Sequence, residues 1–149
     1  MHSDKGRSMA NRESDDSLRR ILRETRIIAM VGASPKPDRP SHGVLRYLLA
    51  RGYRVFPINP GHAGELILGT VFLPDLASVP EPIDMIDVFR ASSALGGLVE
   101  EALALAPPPK VIWTQLGIRD DDAAARAEAA GIEIVMDRCP KIEIPRLGL

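Results

Sequence analysis

From Gly32 to Ser41 the chain reads GASPKPDRPS, and the polar types in that stretch are those that hold phosphate. Gly32 closes an apolar run. The hydroxyls of Ser34 and Ser41 and the cations Lys36 and Arg39 follow, and a helical pattern opens at Ser41. A strand that stops at glycine and feeds a helix presents backbone N–H groups that the first helical turn leaves unpaired, and those groups attract an anion. Gly32 would serve equally in any tight turn. Ser41 stands where an N-cap belongs, a role that can share one helix end with a phosphate contact.

Periodicity supplies the frame for these residues. Five apolar runs of strand length occupy residues 27–31, 53–58, 83–89, 111–114 and 132–136. Helical spacing places Leu18, Ile21 and Leu22 on one face of residues 17–26, behind a serine cap at Ser17. A second helix is expected over 41–51, with Val44, Leu45, Leu48 and Leu49 on one stripe and a stop at Gly52. A third, over 92–106, runs into Pro107, Pro108 and Pro109, and a fourth, over 121–130, opens acidic and stops at Gly131. Strands alternating with helices predict an α/β domain, a Rossmann-like doubly wound sheet of about five mainly parallel strands in three layers. Residues 1–16 are polar and aperiodic and read as a flexible tail, which leaves 17–149 as the domain. The stretch 59–82 is broken by prolines and glycines, and offers only a small strand at 70–73 and a turn of helix at 75–79.

In an open parallel sheet, ligands sit beyond the carboxyl ends of the strands, near the point where strand order reverses. Those ends are Gly32 with Ala33, then Asn59 with Pro60, Phe89 with Arg90, Gln115 to Gly117, and Asp137 to Cys139. The dinucleotide fingerprint G-x-G-x-x-G, with an acidic residue about 20 positions on for the ribose, is only half matched. Ala33 and Ser34 follow the first glycine, and Asn59 stands where the ribose carboxylate belongs. Nicotinamide dinucleotide binding is weakened accordingly. A phosphorylated ligand whose ribose is not gripped by a carboxylate suits the loop better, and coenzyme A, with its diphosphate and 3′-phosphate, is of that kind.

The chain also resembles a known family in seven ordered segments: VGAS at 31–34, RPS at 39–41, GYRVFPINP at 52–60, VFR at 88–90, WTQLGI at 113–118, AGIEIV at 130–135 and DRCPKIE at 137–143. Over residues 20–145 it is similar to the stand-alone CoA-binding proteins of bacteria and archaea, and to the N-terminal CoA-binding domain of the succinyl-CoA synthetase alpha subunit. The resemblance implies a Rossmann-like fold and CoA or an acyl-CoA as ligand. It implies contacts from Gly32, Ala33, Ser34, Arg39, Ser41, Asn59, Pro60, Phe89, Arg90, Gln115 and Gly117, with Lys36 beside them as a further cation. In the synthetase, catalysis needs a phosphorylated histidine in a second domain that has no counterpart in this sequence, so a binding protein without catalysis of its own is expected.

Other residues have plainer readings. Trp113 lies inside an apolar run and is expected in the core. Cys139 is the single cysteine, which precludes an internal disulfide and suits a reducing compartment. His42 and His62 share no metal-ligand spacing with it, so no metal is expected. Asp84 and Asp87, three apart on a strand, point to opposite faces and make poor acid–base partners. The 149 residues are 45% hydrophobic and 26% charged with a net charge of −1, ordinary for one globular domain and without the basic stripe that nucleic-acid binding requires. The polar start lacks a secretory apolar segment and no run approaches a bilayer span, so a cytoplasmic protein is expected. Two rival classes stay open, a minimal NAD(P) oxidoreductase and a CoA-sensing module that completes or regulates a separate synthetase subunit, and a homodimer is compatible with either.

Overall fold

The computed structural model describes residues 13–149. In chain order the elements are α1 (Asp15–Glu24), β1 (Ile27–Val31), α2 (Pro40–Ala50), β2 (Arg54–Ile58), β3 (Leu66–Ile67), β4 (Thr70–Val71), β5 (Met85–Val88), α3 (Leu95–Leu103), β6 (Val111–Thr114), α4 (Asp121–Ala129), β7 (Glu133–Val135) and α5 (Pro140–Arg146). Single 3₁₀ turns occupy Pro60–His62, Leu76–Ser78 and Ser92–Ala94.

Five strands form one parallel sheet in the order β2-β1-β5-β6-β7, with Val31 level with Ile58 on one side and with Val88 on the other. This is the expected Rossmann-like three-layer fold, and the strand order reverses between β1 and β5. Because both faces of the sheet are covered, its strands read as continuous apolar runs, and alternate residues enter different cores. Ala29, Val31, Ile86, Val88 and Ile112 pack under α3 and α4. Ile28, Met30, Met85 and Trp113 pack under α1, α2 and α5, with Trp113 fully buried as expected.

Three element starts differ from expectation. The expected tail lies mostly at residues 1–12, outside the described residues, but α1 begins at Asp15 and its cap is Ser14, not Ser17; the Ser14 hydroxyl accepts the Ser17 N–H at 3.0 Å. Asp15 and Asp16 belong to the first helical turn, where acidic groups suit the helix dipole, and Asp15 also reaches Arg146 at 2.9 Å. In α2 the cap position falls on Arg39 and Pro40 takes the first helical position, for which its ring is preset. Ser41 is therefore inside the first turn of the helix and does not cap it. The 92–106 pattern divides into a 3₁₀ turn and α3, which stops at Leu103 ahead of the prolines.

Within 59–82, β3 and β4 form a hairpin, and the anticipated turn of helix is the 3₁₀ turn at Leu76–Ser78. Helix α5 has no counterpart among the expected elements. It has seven residues and carries Pro145 inside it, which conceals its pattern, whereas Pro140 at its first position is a legible start signal. No helix among the described residues is long and apolar enough to cross a membrane.

Candidate functional site

A cleft of about 660 Å³ opens at the carboxyl ends of β1, β2 and β5, at the reversal of strand order. Its floor is Val31 and Ile58, its walls include Leu76 and Leu98, and all four belong to the core under α3. Gly32, Asn59, Pro60, Phe89 and Arg90, all singled out in the sequence, line it together.

Gly32 has φ +83°, a region that favours glycine, and a side chain would not fit there. A Cβ atom would stand 2.8 Å from the Phe89 carbonyl oxygen and 3.0 Å from Cδ of Arg90. The glycine is thus required by the close approach of β1 to β5 at the cleft floor. Its N–H donates to the Ile58 carbonyl at 3.1 Å, closing β1 against β2.

The loop that follows is fastened to itself. The Ser34 N–H donates to the Ser41 hydroxyl at 2.9 Å, the Ser34 hydroxyl accepts the Lys36 N–H at 3.1 Å, and the Asn59 amide nitrogen donates to the Ala33 carbonyl at 2.9 Å. The other end of the Asn59 side chain accepts the Gly61 N–H at 2.9 Å. Two amides of the expected cradle, Gly32 and Ser34, are consequently engaged within the protein. Positive charge at this end of the sheet comes from Arg90 and from Arg39 and Lys36 on the loop, none of which makes an ion pair among the described residues.

The remaining sequence candidates lie outside the cleft. The Ala33 side chain is buried in the core under α2, and Ser41 is buried in the first turn of that helix. Gln115 is buried past the end of β6 with its side-chain oxygen lacking a hydrogen-bond partner, and the Gly117 N–H donates to Asp137 at 2.7 Å. Sequence reasoning missed the opposite wall, formed by Pro74, Asp75 and Leu76 from the proline-broken segment, by Ala94 before α3 and by Gly97, Leu98 and Glu101 along it. Gly97 was the available signal, since a helix position without a side chain leaves room above the strand ends, whereas Gly96 beside it faces Arg126. Asp75 is held in place by accepting the Ser78 N–H at 2.9 Å and its hydroxyl at 2.6 Å. The described lining residues contain neither histidine nor cysteine, and their ionisable groups are Asp75, Arg90 and Glu101.

Asp84 and Asp87 do go separate ways. Asp84 accepts the N–H groups of Arg26 and Ile27 at 3.0 and 2.9 Å, pinning the entry to β1. Asp87 lies fully buried between Met30 and Trp113, neither carboxyl oxygen has a partner, and burial pushes its pKa up to about 8. Cys139 is a buried free thiol. No group of three or more histidine, cysteine or acidic residues that could hold a metal occurs among the described residues.

Unpaired cations at Arg90, Arg39 and Lys36 beside a large open cleft suit a large phosphorylated ligand. Asn59 spends one donor and one acceptor on the surrounding loops, and it brings no carboxylate to grip a ribose diol.

Comparison with known proteins agrees. Residues 26–145 match the model of a family described as the CoA binding domain. An uncharacterized Bacillus subtilis (strain 168) protein, YneT, is 35% identical over 129 residues, 87% of this chain and 93% of its own length. The structure of cell-free ID.343 from Thermus thermophilus is 42% identical with a TM-score of 0.85, covering 91% of this chain and 99% of that one. A dinucleotide-forming acetyl-coenzyme A synthetase from Ca. Korarchaeum cryptofilum is 26% identical with a TM-score of 0.60, over 72% of this chain and 25% of its own.

Proposed function

The chain belongs to the CoA binding domain family, and from that premise we propose that it binds coenzyme A or an acyl-CoA noncovalently and performs no reaction of its own on it. The reading is carried by the cleft across the ends of β1, β2 and β5, where Gly32 lets β1 and β5 close together and Arg90 stands exposed and unpaired beside it. The diphosphate would meet Arg90 over Gly32, with Arg39 and Lys36 supplying charge from the loop. Asn59 and Pro60 would shape the adenosine side. Gln115 and Gly117, beyond the cleft, would meet the remainder of the ligand. Guanidinium groups suit this task because they present paired donors to phosphate oxygens and stay charged.

The acidic groups of the lining are Asp75 and Glu101, and the binding reading assigns them no reaction. Such a protein delivers or senses its ligand, in the cytoplasm, either as a homodimer or beside a synthetase subunit that supplies chemistry.

Thermal denaturation with CoA, dephospho-CoA, acetyl-CoA, NAD and NADP tests the proposal. Ligand at a hundred times its dissociation constant adds about 2.7 kcal/mol, a rise of roughly 5–10 °C for a domain this size. CoA is expected to give that shift and dephospho-CoA a smaller one. A response to NAD or NADP with none to CoA would replace this reading with that of a minimal oxidoreductase.

A further inference from the structure

At the opposite end of the sheet, a second cleft of about 500 Å³ lies where β1 and β2 begin and α1 and α2 end. Four arginines line it, Arg23, Arg26, Arg51 and Arg54, against a single acidic residue, Glu81. Arg54 is accounted for: it reaches Glu81 at 2.7 Å and lies over the Phe56 ring at 5.4 Å. Arg23, Arg26 and Arg51 are exposed and make no ion pair among the described residues. Outside the two clefts and the loop after β1, all but Arg46 of the described arginines are paired. Arg19, Arg20, Arg119, Arg126, Arg138 and Arg146 each reach a carboxylate at 3.5 Å or less.

Three unpaired guanidiniums around one concavity repel each other, and an anion placed among them removes that cost. One arginine at a helix end is expected from the helix dipole alone, and Arg23 and Arg51 hold such positions. Arg26 does not, and several of the helix carbonyls that would repel an anion are already occupied. The Tyr53 hydroxyl donates to the Leu22 carbonyl at 2.6 Å and the Tyr53 N–H to the Leu48 carbonyl at 3.2 Å. The Gly52 N–H donates to Leu49 at 3.1 Å, and the Thr25 hydroxyl to Ile21 at 2.7 Å. The negative ends of both helices are thus partly satisfied while Arg23 and Arg51 make no ion pair among the described residues.

We propose that this cleft is a second anion site that takes a triphosphate group, either free or as the tail of a nucleotide. Three guanidiniums on separate elements match three linked phosphates, each of which accepts a forked pair of hydrogen bonds. The proposal is independent of CoA binding, because the two clefts lie at opposite ends of the strands.

Calorimetric titration of the full chain with inorganic tripolyphosphate at about 0.15 M salt tests it, with ATP as a second arm. One saturable site is expected, unaffected by saturating CoA and by Arg90→Ala. Loss of a charged hydrogen-bonding partner corresponds to an affinity about tenfold lower for each of Arg23→Ala, Arg26→Ala and Arg51→Ala. These arginines are exposed, so unchanged melting temperatures will show that the variants fold. Tighter binding of ATP with the same arginine dependence identifies a nucleotide as the source, and equal or tighter binding of tripolyphosphate identifies free polyphosphate. No saturable site, the same affinity in all three variants as in the wild type, or displacement by CoA overturns the proposal.

Discussion

The Ser34 amide and the Ser41 hydroxyl meet at 2.9 Å, tying the loop after β1 to the first turn of α2. This bond gives a residue expected to cap a helix the task of fixing a loop. Ser41→Ala removes the acceptor and leaves the Ser34 N–H without it, at a cost of about 1 kcal/mol, or roughly 2–4 °C in melting temperature. Affinity for CoA is expected to fall severalfold, because Arg39 and Lys36 ride on the loop that has been loosened. Calorimetry alongside thermal denaturation measures both, and wild-type values for both would remove the staple from the account.

Gly32 and Gly52 separate backbone strain from crowding. Both have positive φ, +83° and +95°, but a Cβ at Gly52 meets nothing within 4 Å, whereas one at Gly32 runs into the Phe89 carbonyl. Gly52→Ala should cost about 1 kcal/mol and leave CoA binding intact, and Gly32→Ala should cost at least about 2 kcal/mol and abolish it. Equal losses in the two variants, measured by denaturant unfolding, would show that crowding against β5 is unimportant.

The layout of the domain was legible because its strands are continuous apolar runs and its helices have single apolar stripes, so length and period both pointed one way. The site was half legible. Gly32, Asn59, Pro60, Phe89 and Arg90 follow directly from where strands stop. Asp75 and Glu101 sit on the other wall because a proline-broken segment and one face of α3 fold over the strand ends, a placement that no periodicity encodes. The arginine cleft was hidden for a related reason. A net charge of −1 averages over the chain, and Arg23 and Arg26 meet Arg51 and Arg54 only because β1 and β2 are adjacent and parallel.

Arg90 is exposed and makes no ion pair among the described residues, so its replacement separates binding from stability. Arg90→Ala is expected to leave the melting temperature within about 1–2 °C of wild type and to weaken CoA binding about tenfold or more. In the proposed placement the guanidinium meets the diphosphate over Gly32, and the loss should then be equal for CoA and dephospho-CoA. A smaller loss with dephospho-CoA would move Arg90 to the 3′-phosphate instead.

Asp87 gives the fold a pH dependence that an asparagine in its place should erase. Burial raises its folded-state pKa from 3.8 to about 8, so the carboxyl stays protonated in the folded chain where the unfolded chain has already lost the proton. The group's contribution is therefore fully favourable below about pH 4, is lost as pH rises, and levels off above about pH 8. Within that window each pH unit removes up to about 1.4 kcal/mol. The asparagine side chain is uncharged throughout and nearly the same shape, so Asp87→Asn should match wild type near pH 4 and melt higher at pH 8, by about 5 °C or more. Melting curves collected across this range decide the matter, and parallel pH profiles for the two proteins would mean that the carboxyl finds a partner or water in solution.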